Sequence, residues 1–253
     1  MTEFYNFGDY VFPICRLHLN ESGKYNIKHF HGSGFFIGGD GYFLSAKHVI
    51  NNEDVKEITS NTAFGLILQD VQDNGLNRFT KTIICLEEHP KYDVVIGKVD
   101  HAPEKFFSSN NQDAYGWEDV HCFGYPDDLN KNHEQKYAFG SQFLKGYIMR
   151  RISKEDIPFL NIPPSYELNF PIPKGISGSP IFRIGSVKSL LGIALASHDS
   201  VLSRYESTEV LDGNEKYSEK TVQVKQVGIA ARAFEIRDWK PSILNGLALK
   251  DIY

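Results

Sequence analysis

Three polar residues in the sequence, His48, Asp93 and Ser177, could together perform acyl transfer. His48 lies in the segment SAKHV, Asp93 opens the apolar run DVVI, and Ser177 lies between glycines in GISGSP. A serine hydroxyl becomes an effective nucleophile when a base takes its proton, and a neutral imidazole can do this near pH 7. A carboxylate can fix the imidazole tautomer and stabilise the imidazolium that forms. Glycines beside the serine let backbone N–H groups converge where an oxyanion develops.

Each of the three patterns also has an ordinary structural explanation when it is taken alone. A single histidine before a strand is usually a surface or capping residue. An aspartate before a strand is usually a turn residue, and a serine between glycines is usually part of a loop. Only the combination of the three patterns in one chain favours a catalytic interpretation.

The elements that must position these residues are predicted to be β-strands. The chain of 253 residues contains 21 glycines and 13% aromatic residues, which favours many strands joined by turns. Short apolar or alternating runs recur, and the GGDG segment at residues 38–41 predicts a hairpin turn. Residues 101–117 are polar and irregular, so they predict a boundary between two halves. Residues 199–220 are long, charged and without a pattern, so a surface insertion is expected there.

The fold class expected from these runs is all-β, with two six-stranded antiparallel β-barrels packed face to face and a short C-terminal helix. Residues 8–110 are predicted to form an N-terminal barrel carrying His48 and Asp93. Residues 111–232 are predicted to form a C-terminal barrel carrying Ser177, and residues 233–253 the helix and tail.

The order of the motifs resembles the chymotrypsin/trypsin-like peptidase family, in its bacterial, disulfide-free branch. Residues 32–37 (GSGFFI) and 43–49 (FLSAKHV) are similar to the family's G-[ST]-G-F hairpin and [ST]-A-x-H motif. Residues 92–95 (YDVV) are similar to its D-[IV]-[AV] motif, and residues 175–180 (GISGSP) to G-x-S-G-[GS]-P. Residues 191–194 (LGIA) resemble the strand that lines the substrate cleft, and residues 227–230 (VGIA) the last barrel strand.

This resemblance implies a chymotrypsin-like fold and a serine endopeptidase that works through an acyl-enzyme. It makes Ser177 the nucleophile, His48 the general acid–base and Asp93 the orienting carboxylate. It also implies an oxyanion hole formed by the backbone N–H groups of Gly175 and Ser177. The residues that it places at the substrate-binding cleft are Ile172, Ala194, Leu195, Ala196, Ser197 and Gly228.

The sequence departs from the family pattern at positions that control activation and specificity. Ile176 stands where digestive relatives carry the aspartate that pairs with a freed N-terminus, so activation by that ion pair is not expected. Pro171 stands where trypsin has the carboxylate that selects Lys or Arg, and Ala194 where glutamyl endopeptidases have a histidine. An apolar residue before the scissile bond is therefore expected.

Composition restricts the cofactors, partners and compartment. The net charge of −5 lacks the basic excess typical of nucleic-acid binding, and no apolar run is long enough to span a membrane. Three cysteines without C-x-x-C spacing predict buried free thiols and no metal site, and no cofactor is expected. Without a visible signal peptide, the expected location is the bacterial cytoplasm. The expected partner is a protein or peptide substrate, and a regulatory partner protein is left open.

Three other functions are left open by the sequence. The first is a catalytically silent trypsin-like domain that binds peptides or a partner protein. The second is an enzyme that acts on non-peptide esters or processes only itself. The third is a regulated effector protease in a bacterial stress or defence pathway.

Overall fold

The computed structural model describes residues 7–51, 61–72, 75–109, 112–130, 132–133, 136–137, 139–156, 162–183, 189–210 and 216–252. Strands make up most of these residues, and the two α-helices among them are single turns, α1 (Lys47–Ile50) and α2 (Ala233–Ile236). No helix within these ranges combines the length and the apolar character that crossing a membrane would require.

Fifteen strands are assigned in the described ranges and are numbered in chain order. The strands are β1 Val11–Leu19, β2 Tyr25–Phe36, β3 Tyr42–Ser45, β4 Thr62–Gln72, β5 Gly75–Glu88, β6 Val95–Val99, β7 Ser108–Ser109, β8 Asp119–Gly124, β9 Asn132–His133, β10 Lys136–Tyr137, β11 Gln142–Ile152, β12 Ser165–Leu168, β13 Pro180–Arg183, β14 Ser189–Val210 and β15 Lys216–Arg232.

The first six strands form a closed antiparallel barrel in the order β1-β2-β3-β6-β5-β4. Pairing of β1 with β4 closes the barrel, so neither strand is left as an edge. Aromatic rings fill its interior: Phe12 lies 4.7 Å from Phe36 and 5.8 Å from Phe43 between ring centroids. All three rings are fully buried, which accounts for the apolar character of β1, β2 and β3.

The second sheet has the order β13-β8-β11-β12-β15-β14-β7, with a further pairing of β13 with β14. That pairing joins six antiparallel strands into a ring, and β7 adds to β14 in parallel. The interior is apolar and includes Ile148, Leu168 and Ile181, each of which is fully buried.

The two barrels contact each other through aromatic rings. Phe107, which follows the first barrel in the chain, lies 5.2 Å from Tyr10 and 5.1 Å from Phe182 of β13 between centroids. Tyr125, directly after β8, donates its hydroxyl to the Val11 carbonyl at 3.2 Å. One continuous buried apolar cluster therefore includes residues of both barrels.

The expected fold class is confirmed: the chain is all-β, with two large, mainly antiparallel sheets and a short C-terminal helix, and β9 and β10 pair as a separate two-stranded sheet. The division at residue 110 stays a prediction. The surface insertion expected at residues 199–220 is an extension of β14 and β15, which continue as a paired hairpin out to Val210 and Lys216. Val201 and Tyr205 on this hairpin are 57% and 56% exposed, so the segment needs no apolar alternation and carries no sequence signal for a strand.

The three cysteines are free, in agreement with the expected absence of disulfides. Cys15 and Cys122 are fully buried, whereas Cys85 is only half-buried, so the expectation of three buried thiols is wrong for Cys85. Burial raises the pKa of the Cys15 thiol far above its ordinary value, which keeps it protonated and unreactive.

Candidate active site

His48 and Asp93 meet because their flanking strands are neighbours in the first barrel. His48 lies in α1, directly after β3, and Asp93 lies just before β6, which pairs with β3 through Ser45 and Val95. His48 Nδ1 lies 2.6 Å from Asp93 Oδ2, and the His48 backbone N–H donates to Oδ1 at 2.9 Å. Asp93 thus holds both the ring and the backbone of His48, which leaves Nε2 as the nitrogen that can act on another group.

The environment of Asp93 keeps its carboxyl ionised. Burial by itself would raise the pKa of Asp93, but the hydrogen bonds from His48 and its charge outweigh that effect and hold the pKa below its ordinary value of 3.8. The His48 side chain is 48% exposed, compared with 28% for Asp93. The imidazole is therefore accessible while the carboxylate behind it is more protected.

A second set of contacts fixes α1 to the first barrel. Lys47 forms an ion pair with Glu88 at the end of β5, and Asn51 donates its side-chain amide to the same carboxylate. These two contacts lower the pKa of Glu88. The partly exposed Lys47 side chain thus anchors the helix that carries His48.

The segment before Ser177 forms a tight turn that orients two backbone N–H groups. The Ile176 N–H donates to the Pro173 carbonyl at 3.0 Å, and the Lys174 carbonyl accepts from Asp127 N–H at 2.7 Å. Gly175 has φ +91, in the left-handed region that favours glycine. Because the C=O and N–H of a trans peptide point in opposite directions, the Gly175 N–H points away from Asp127.

Neither the Gly175 nor the Ser177 N–H donates a hydrogen bond within the described part of the chain. Two unbonded N–H groups on one turn can both bind an oxyanion.

The Ser177 hydroxyl is not hydrogen-bonded to His48 in the described structure. It donates instead to the Leu195 carbonyl of β14 at 2.8 Å. Gly178 lies against the residues that lead into α1, since a methyl group there would come within 3.1 Å of the Ala46 nitrogen. The segment that carries Ser177 therefore lies against the start of α1, and the Ser177 hydroxyl would have to turn away from Leu195 to act on His48.

Ser33 of β2, which is fully buried, joins the serine segment to the first barrel. Its backbone N–H donates to the Ser177 carbonyl at 2.9 Å, and its hydroxyl donates to the Gly175 carbonyl at 2.9 Å. The same hydroxyl accepts the Tyr125 N–H at 3.0 Å. Ser33 thus fixes the position of Ser177 relative to the barrel that carries His48.

The residues expected at the cleft lie together, beside Ser177. Ala194 and Leu195 are buried in β14, with Ala196 and Ser197 next along the strand. The Ser197 hydroxyl donates to the Ile172 carbonyl at 2.9 Å and accepts the Ile172 N–H at 2.7 Å.

Ile172 also packs against Gly228, where a methyl group would come within 3.0 Å of its side chain. Hydrogen bonds from Ser197 thereby join β14 to Ile172, and these are the two sides of the expected pocket.

Sequence reasoning missed two contributors to this arrangement. Ser33 was noted only as part of a hairpin motif, and its two-barrel contacts could not be read from a local pattern. His89 was not singled out at all. It lies 8% exposed in the loop that leads to Asp93 and, with His48 and Asp93, lines a cavity of about 480 Å³. Its only sequence signal is its position, four residues before Asp93.

Two sheets that place a histidine–aspartate pair beside a serine turn define the chymotrypsin-like class of serine protease folds. Residues 32–193 match the family model described as the trypsin-like peptidase domain. The chain therefore belongs to the trypsin-like peptidase domain family. A search of curated proteins finds no significant match.

Solved structures with the same fold include several proteases of low sequence identity. The inactive form of Rv3671c from M. tuberculosis H37Rv is 17% identical, with a TM-score of 0.51, and the match covers 97% of this chain and 87% of that one. The HtrA-type protease AlgW with a decapeptide is 12% identical, with a TM-score of 0.55, and the match covers 90% and 62%. The apo MamO protease domain from Magnetospirillum magneticum is 13% identical, with a TM-score of 0.50 and coverage of 96% and 98%.

Proposed function

We propose that the protein is a serine endopeptidase in which Ser177, His48 and Asp93 form the catalytic triad. The observation that carries this proposal is the 2.6 Å hydrogen bond between His48 and Asp93 in a chain of the trypsin-like peptidase family. The family also supports a peptide or protein as the substrate.

The chemistry begins when the Ser177 hydroxyl turns from Leu195 toward His48. Its proton passes to His48 Nε2 as a bond forms between Oγ and the carbonyl carbon of the substrate. Asp93, kept ionised, stabilises the resulting imidazolium through Nδ1–H. His48 then gives the proton to the leaving amine as the C–N bond breaks. Water, deprotonated by His48, hydrolyses the acyl-enzyme and restores the Ser177 hydroxyl.

The oxyanion of each tetrahedral intermediate would be bound by the N–H groups of Gly175 and Ser177. Support comes from the turn held by the Lys174 carbonyl, which directs the Gly175 N–H away from Asp127. Ser33 donates to the Gly175 and Ser177 carbonyls of this turn, and its hydroxyl also accepts the Tyr125 N–H after β8, so the turn is held before substrate arrives. Preorganised donors of this kind typically contribute about 3 kcal/mol to transition-state stabilisation.

Substrate specificity would be set by Ile172, Ala194, Leu195, Ala196, Ser197 and Gly228. Ile172 and Ala194 give this region an apolar floor, which supports an apolar residue before the scissile bond. The Ser197 hydroxyl would hold Ile172 in place beside β14, because it donates to the Ile172 carbonyl and accepts the Ile172 N–H. The bacterial cytoplasm remains the predicted location.

The experiment that tests the triad is labelling of the folded protein with a fluorophosphonate, followed by mass spectrometry of the modified peptide. Covalent modification of Ser177 is expected in the native protein, and it should be lost in Ser177→Ala and after heat denaturation. Hydrolysis of a peptide library by the same preparation should yield cleavage sites with a shared residue type. Equal labelling of native and Ser177→Ala protein would refute the assignment of the nucleophile.

A catalytically silent, peptide-binding domain is the second candidate function. The observation that favours it is the Ser177 hydroxyl donating to Leu195 rather than to His48. A native protein that binds library peptides but neither cleaves them nor reacts with the fluorophosphonate would establish this function instead.

A further inference from the structure

The loop that leads from β5 to Asp93 is closed around the imidazole of His89. His89 Nδ1 lies 3.2 Å from the backbone nitrogen of Lys91 and 3.1 Å from that of Tyr92, and both N–H groups donate to it. The His89 N–H donates to the Val94 carbonyl at 2.9 Å, which joins the two ends of the loop. Asp93, which contacts His48, therefore lies in a loop whose backbone N–H groups share one side-chain acceptor, His89 Nδ1.

This turn requires an imidazole without a proton on Nδ1. A neutral ring with its proton on Nε2 accepts both N–H groups, whereas a protonated ring presents N–H at both nitrogens and accepts neither. Protonation of His89 would thus remove both hydrogen bonds. It would also turn the new Nδ1–H toward the N–H groups of Lys91 and Tyr92, next to Asp93 in the chain.

The ring is also held from its other sides. Tyr92 stacks on it at 4.5 Å with an interplanar angle of 5°, and Trp239, which follows α2, meets it edge-on at 4.8 Å. The titratable and charged groups around His89 are Lys91, Tyr92 and Asp93 on its own loop, and Lys47 and His48 across the shared cavity. Burial and then the Lys91 ammonium hold the pKa of His89 below its ordinary value of 6.5.

We propose that His89 is a positioning residue for the reaction, whose neutral imidazole holds the loop so that Asp93 can orient His48. The inference rests on the proposed function, because the Asp93–His48 pair matters for activity only if the triad works. His89 itself touches neither substrate nor the reacting atoms. It acts through the backbone of Lys91 and Tyr92, and Trp239 couples this position to the C-terminal segment.

The pH dependence follows from the direction of the His89 pKa. We call the two hydrogen bonds that His89 Nδ1 accepts from Lys91 and Tyr92 the clasp. Because the pKa of His89 is lower in the folded protein, the contribution of the clasp to stability is complete above about pH 6.5, the value for an unperturbed histidine. It is lost as the pH falls through the lowered pKa of folded His89. In this range His89 must stay neutral to hold the loop.

The activity test compares three variants by kcat/KM on one cleaved peptide over a range of pH. His89→Ala removes the acceptor and should lower kcat/KM between about tenfold and a hundredfold, mainly through kcat. His89→Asn supplies a side-chain oxygen that accepts N–H groups two and three residues on, so it should restore kcat/KM to within about threefold. His101→Asn, another histidine of the first barrel with a lowered pKa, is the matched control and should change nothing.

The shape of the acid limb separates a positioning role from a general loss of stability. For the wild type, log kcat/KM should fall more steeply at low pH than for His89→Asn, since the His89 ring takes up a proton that the variant cannot. Full activity in His89→Ala, no rescue by His89→Asn, or the same slope in both proteins would overturn the proposal.

A measurement that needs no activity tests the clasp separately from the proposed function. In a ¹H–¹⁵N NMR titration, the backbone amides of Lys91 and Tyr92 should shift with the protonation of the His89 ring. In His89→Asn these two amide shifts should not follow that transition. If no peptide is cleaved yet the amides titrate, the endopeptidase assignment fails and the clasp stands. Amides that ignore His89 would refute the clasp whatever the activity.

Discussion

The two halves of the candidate site differ in how completely they are assembled. On the first barrel, His48 and Asp93 are joined by two hydrogen bonds, and Glu88 holds the helix through Lys47. On the second barrel, the Ser177 hydroxyl donates to Leu195. The proposed base and its carboxylate are already joined in the structure, whereas the hydroxyl proposed as the nucleophile donates to Leu195 and must rotate. Control of activity is therefore expected to act on the serine side.

The largest effect should come from removing either partner of the proton transfer. Ser177→Ala and His48→Ala should each lower kcat by about a millionfold, because the two side chains act as a unit. The double variant should be no worse than either single one. Peptide hydrolysis under single-turnover conditions measures all three. Additive losses would show that the two halves contribute independently.

Asp93→Asn tests whether the first barrel really fixes the tautomer of His48. The amide can still accept the His48 backbone N–H, but its NH₂ group would face Nδ1 and favour the wrong tautomer. We expect kcat to fall about ten-thousandfold with little change in the melting temperature. Asp199→Asn is the control: the exposed Asp199 carboxylate accepts a hydrogen bond from Gln226, and the variant should keep full kcat.

Gly178→Ala should destabilise the junction between the two halves. Gly178 has φ +86, and a methyl group there would collide with the Ser33 carbonyl and the Ser45 hydroxyl. We expect the free energy of unfolding to fall by at least about 2 kcal/mol.

The matched control for this substitution is Gly246→Ala. Gly246 has φ +92 but nothing within 4 Å of an added methyl group, so it isolates the backbone strain. Urea denaturation of both variants gives the difference. Equal losses would mean that close packing at Ser33 adds nothing to the junction.

The smallest effect is expected from shortening the β14–β15 hairpin. Beyond the pair Val201 and Val224, which are 57% and 51% exposed, the two strands pair with each other and with no further strand in the described ranges. Replacing residues 202–223 by Asn-Gly should change the free energy of unfolding by less than about 1 kcal/mol. A larger loss would show that this hairpin stabilises the serine side.

Much of the fold and of the site could be predicted because the relevant signals are local. Apolar strands such as β3 and β6, the glycine turn at residues 38–41 and the three motifs around His48, Asp93 and Ser177 each occupy one short segment. The hairpin at residues 199–220 escaped prediction, since this exposed segment carries no apolar period. Ser33 escaped as well, because its partners Gly175 and Tyr125 are far away in the chain.

The sequence by itself determined the all-β class, the membership of the motifs in one family pattern, and which residues could act as nucleophile, base and carboxylate. Only the tertiary structure decided how these residues stand toward one another. It joined His48 to Asp93, directed Ser177 to Leu195, and placed His89 so that its ring accepts from Lys91 and Tyr92. The physical reason is that residue types and the alternation of apolar residues are local properties of the sequence. Hydrogen-bond partners depend instead on which strands become neighbours in the fold.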